Sequence, residues 1–100
     1  MKHFSFAPVD SPEGQLRQKI SSTFDEFVQE TMENPESKDL INNPLFGGML
    51  KKSAIVDLYQ SLKGDEKYAL IAAMYAKDGI DYYAIVDDEC RKALVRHNVE

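Results

Sequence analysis

Apolar residues recur at spacings of three and four along Leu16, Ile20, Phe24, Phe27, Val28 and Met32, with Thr23 in the same stripe. That period predicts an amphipathic helix. Ser11-Pro12-Glu13 supplies its start: a serine N-cap, a proline at the first helical position and an acid in the first turn. Asn34-Pro35 ends it, because proline disfavours a helical conformation in the residue before it. The first predicted helix therefore covers residues 11–33, with Glu26, Glu30 and Glu33 on the face turned from the core.

Asn34 can also cap a short helix over 35–41, which Asn42-Asn43-Pro44 then interrupts. Phe46, Leu50, Ala54, Leu58 and Leu62 keep a four-residue phase that would carry a helix through Gly47-Gly48. Two glycines each cost about 1 kcal/mol against alanine in a helix interior, so the sequence favours a hinge there. The next helix is placed over 49–63, with Leu50, Ile55, Leu58, Tyr59 and Leu62 inward and Phe46 on the preceding loop. Gly64 is expected in a left-handed C-cap position, and Asp65 as the next N-cap, which makes an α-hairpin.

Residues 68–76 read Tyr-Ala-Leu-Ile-Ala-Ala-Met-Tyr-Ala, without a strongly polar position. Alanine, leucine and methionine favour a helix, and a helix apolar all round is normally buried all round. This segment is the expected centre of the core. It should end at Asp78-Gly79; Asp81 then caps a last helix carrying Tyr82, Ile85, Val86, Cys90, Ala93, Leu94 and His97 at helical spacing. Ile80 and Ile85 occupy the positions of a hydrophobic staple. Phe4 and Phe6 alternate in 1–10, which is expected to form an extended arm over the helices. The fold class is all-α: one domain over 1–100, a compact bundle of four to five helices around an apolar central one.

Charge adds a second pattern. The net charge is −5, and residues 25–39 carry all of it, with six acids against Lys38 alone. Neutralising phosphates needs an excess of Lys and Arg, so no direct nucleic-acid ligand is expected. The apolar runs are too short to span a bilayer, and 1–10 has no signal-peptide h-region, so no membrane is expected. The lone Cys90 rules out an internal disulfide and fits a reducing, cytoplasmic setting.

Candidate chemistry is sparse. Cys90 and His97 share a helix face but lie about 10 Å apart along the axis, too far for a thiol–imidazole nucleophile. Two histidines and one cysteine do not supply a zinc finger's ligands, and no Glu-x-x-His pair exists for a di-iron bundle. The window 78–89 has an acid at each end, but Ile80, Tyr82 and Tyr83 stand where a calcium loop needs oxygen ligands and a glycine. No cofactor, metal or catalytic group is expected.

Gly79-Ile80-Asp81 followed by Ile85 matches the turn of a helix-turn-helix. Against a DNA role, Tyr75 stands where a small residue lets such helices touch, and Asp87 and Asp88 would repel a phosphate backbone. The leading expectation is a small acidic, non-enzymatic interaction module: a regulator, adaptor or inhibitor of a partner protein. Asp25, Glu26, Glu30, Glu33 and Glu36 would form its docking face for a basic partner, as in inhibitors that mimic nucleic-acid charge, with Phe46 as an anchor. A DNA-binding regulator is the alternative. A homodimer would cover whatever part of the central helix one chain leaves bare.

Overall fold

The computed structural model describes residues 11–34 and 44–99. Within them the chain forms four helices, α1 (Pro12–Glu33), α2 (Pro44–Gly64), α3 (Glu66–Ala76) and α4 (Tyr82–Arg96), and no strand. The arm over 1–10, the short helix over 35–41 and Glu36 lie outside the described residues.

α1 begins as its sequence dictates. The Ser11 hydroxyl accepts a hydrogen bond from the Gly14 amide at 3.0 Å, and Pro12 follows it. Leu16, Ile20, Phe24 and Val28 are buried along one side, and Met32 packs at the edge of the core. Phe27 departs from the predicted stripe and remains 37% exposed.

α2 runs through Gly47-Gly48 where a hinge was expected. The four-residue apolar phase outweighs the propensity cost, since Ala54, Leu58 and Leu62 are all buried on that line with Ile55 beside them. Phe46 is accordingly a helical residue in the first turn of α2 and not a loop anchor. Gly64 ends α2 without a left-handed conformation, and the only positive-φ glycine among the described residues is Gly79. Asp65 stands at the N-cap of α3, but its carboxylate accepts from the Ser61 hydroxyl at 2.7 Å and makes no side-chain cap bond.

Gly79, at φ 76°, closes α3 with two backbone bonds, Gly79 to the Ala76 carbonyl at 3.0 Å and Ile80 to the Tyr75 carbonyl at 3.1 Å. This is a Schellman ending, which satisfies two of the last orphan carbonyls. Ile80 is thereby turned inward and buried, as is its staple partner Ile85. Asp81 caps α4, accepting from the Ala84 amide at 3.1 Å.

The centre of the bundle lies between α2 and α4, each of which packs against all three other helices, and not on α3. Tyr82, Ile85, Val86, Glu89, Cys90 and Ala93 of α4 are buried, and α4 packs against each of the other three helices. In α3 only Ala72 is buried, with Tyr68, Ile71 and Tyr75 half-buried against the core. Alanine exposes little area to remove from water, so an alanine-rich helix gains less from full coverage than its unbroken apolar sequence suggests. The expectation that α3 is covered on every side is not met in a single chain.

Candidate docking faces

The outward side of α3 carries the two most exposed large hydrophobic side chains among the described residues. Leu70 is 70% exposed and Met74 65%, with Ala69, Ala73 and Ala76 also exposed around them. Eleven residues advance the helix by about 16 Å and bring its phase back to within about 20°. Glu66 and Lys77 therefore cap the two ends of one line, and Leu70 and Ala73 lie between them. Tyr68, Ile71, Ala72 and Tyr75 occupy the opposite side and join the core.

Beside this line, a shallow groove of about 520 Å³ separates α3 from the start of α4. Ala69, Ala72, Ala73 and Ala76 form one wall, and Ile80 and Tyr83 belong to the other. The groove exists because short side chains on α3 face the turn that Gly79 makes. A second, smaller cleft of about 160 Å³ lies between α1 and α3, lined by Leu16, Ile20, Tyr68, Ile71 and Tyr75 among others.

The acidic residues singled out in the sequence divide into two groups. Glu26, Glu30 and Glu33 are exposed on α1, one helical step apart. Glu33 accepts from the Gln29 amide at 3.0 Å, while Glu26 and Glu30 make no ion pair among the described residues. Asp25 is turned away from them. It accepts from Arg96 at 2.8 and 3.1 Å and lies 2.8 Å from His97 Nε2 at the end of α4. Partial burial raises the Asp25 pKa, but hydrogen bonds from Arg96 and His97 outweigh it and leave the carboxyl below its ordinary value. Phe46 is 42% exposed on α2.

Other charges also serve the fold. Arg17 of α1 donates to Asp88 at 2.7 Å and to Glu89 at 3.2 Å, and Lys92 approaches both carboxylates. Hydrogen bonding to Asp88 holds the Arg17 pKa above its usual value, and the bond from Arg17 holds Asp88 below its own. Asp87 accepts from Lys63 at 2.8 Å and from the Tyr59 hydroxyl at 2.6 Å, which lowers its pKa. The Tyr82 hydroxyl donates to the Leu62 carbonyl at 3.3 Å, and burial pushes its pKa up to about 12. These contacts fasten α4 to α1 and α2.

Cys90 is buried and His97 is engaged with Asp25. Among the described residues no group of three or more His, Cys, Asp or Glu is placed to hold a metal ion, and no helix is long and apolar enough to cross a membrane. The exposed face of α3 had one signal in the sequence, an apolar run too long for an eleven-residue helix to bury in a small domain. No family model matches the chain, and no match was found among curated proteins or solved structures.

Proposed function

We propose that this chain is a non-enzymatic protein-interaction module that docks through the outer face of α3. The exposure of Leu70 and Met74 carries the reading. Two large apolar side chains on one helix face, with a groove alongside, are the kind of surface that a macromolecular partner removes from water. Burying both would contribute on the order of 2–4 kcal/mol at the contact.

The test compares tagged wild-type chain with Leu70→Glu/Met74→Glu as bait, scoring both host proteins and untagged copies of the chain. The reading predicts that the double variant keeps its helical circular dichroism and loses the captured chain. Equal capture by the two baits would overturn it.

A second reading is favoured by Glu26 and Glu30, which are exposed and make no ion pair among the described residues, so that the acidic face of α1 is open to a basic partner. Its site is Glu26, Glu30 and Glu33 with Phe27 beside them, and Asp25 is not part of it. Reversing the three glutamates to lysine would abolish capture of such a partner and leave helicity intact; undiminished capture would remove the acidic-face reading. The DNA-binding alternative draws no support from α4, which lies within the bundle with Asp87 and Asp88 held in ion pairs.

A further inference from the structure

We infer that the occupant of the α3 face is a second copy of this chain, paired antiparallel about a two-fold axis between Ile71 and Ala72. This names the partner of the docking face proposed above and rests on that reading.

The argument is the self-complementary order of the exposed residues. A two-fold axis at that point sets each residue on the seam opposite the one whose number brings the pair to a constant sum. Glu66 then meets Lys77 of the second copy, and Lys77 meets its Glu66. Leu70 meets Ala73 across the seam, a large side chain on a small one, while Met74 of each copy lies on one flank beside Leu70 of the other and both Ala69 lie on the opposite flank. All six residues are exposed in the single chain. An isologous contact requires this property, because each patch must complement itself under the rotation.

Parallel pairing of the same faces would set Glu66 on Glu66 and Lys77 on Lys77, which is repulsive. Alanines at the crossing also permit close helix approach, at the short end of the usual 8–10 Å. A contact built on two three-turn helices is small, so association is expected at Kd on the order of micromolar.

Sedimentation equilibrium on the wild-type chain, Glu66→Lys and Lys77→Glu tests this. Each single change makes both end contacts like-charged, so each variant alone should self-associate about tenfold more weakly than wild type. Glu66→Lys should do so although it reduces the net negative charge of −5 that opposes association in general. Mixed together, the two variants restore both attractive contacts, and the mixed dimer should return to within about threefold of wild-type affinity. A wild-type chain that stays monomeric to about 1 mM would overturn the second copy as occupant, and so would a dimer that neither single change weakens. The docking reading itself fails separately, when Leu70→Glu/Met74→Glu captures as wild type does.

Discussion

Asp25 of α1 and Arg96 of α4 are joined by two hydrogen bonds, at 2.8 and 3.1 Å, across 71 positions of sequence. The pair ties the second half of α1 to the last turn of α4, where a cation also complements the helix dipole. It takes Asp25 out of the acidic surface that its sequence neighbours suggest. Asp25→Asn should cost less than about 1 kcal/mol in urea unfolding, because both side chains of the pair remain more than a third exposed to screening solvent. Partner capture should be unchanged by it.

Acid stability follows from the same contact and two others. Asp25, Asp87 and Asp88 all titrate below their ordinary value of 3.8 in the folded chain. A carboxyl whose pKa falls on folding stabilises the fold above its unfolded pKa, and that contribution is lost as pH drops through the folded value. Urea midpoints should therefore be flat from pH 7 to about pH 5 as far as these groups are concerned, then fall steeply below about pH 4. Asp25→Asn should flatten part of that fall.

Glu89 is 4% exposed, and its charge is met by Arg17 at 3.2 Å and Lys92 at 3.3 Å. Removing Arg17 leaves the buried Glu89 carboxylate with Lys92 alone, a partner that is itself about half exposed. Arg17→Met should destabilise the chain by about 1–2 kcal/mol, and adding Glu89→Gln should recover a good part of it. A double-mutant cycle by urea unfolding measures the coupling.

Two glycines should respond in opposite directions. Gly48 is helical, without a positive φ, and a methyl group added there meets nothing within 4 Å. Gly48→Ala should stabilise by about 0.5–1 kcal/mol through helix propensity and a less flexible unfolded chain. Gly79 has equal room but sits at φ 76°, where a side chain is strained. Gly79→Ala should destabilise by about 1 kcal/mol. Thermal melts of the two variants give both signs.

Helix order was legible because local chemistry and tertiary packing agree. Ser11 and Pro12 start α1 where they should, Asn34 ends it, and Gly79 and Asp81 mark the turn before α4. The Gly47-Gly48 region was misjudged because propensity is a local quantity, whereas the packing of Ala54, Leu58 and Leu62 extends the helix from outside the window. Which helix is central could not be read from hydropathy. Glu89 sits in an Asp-Asp-Glu run that looks solvated, and its burial against α1 with a bond from Arg17, 72 positions away, has no local signal. Of the acidic surface, spacing alone grouped Glu26, Glu30 and Glu33, while the diversion of Asp25 depends on where α4 ends. The exposed side of α3 was hidden by the opposite error, since an apolar sequence reads as core even where one chain lacks the mass to cover it.

The most direct measurement is sedimentation equilibrium of Leu70→Glu beside wild type, with urea unfolding of both at a concentration where wild type is monomeric. The outer side of α3 as a contact surface predicts concentration-dependent association in wild type only, and unfolding free energies within about 0.5 kcal/mol of each other. Association retained by Leu70→Glu, or a loss of 2–4 kcal/mol of the kind a core leucine gives, would contradict it.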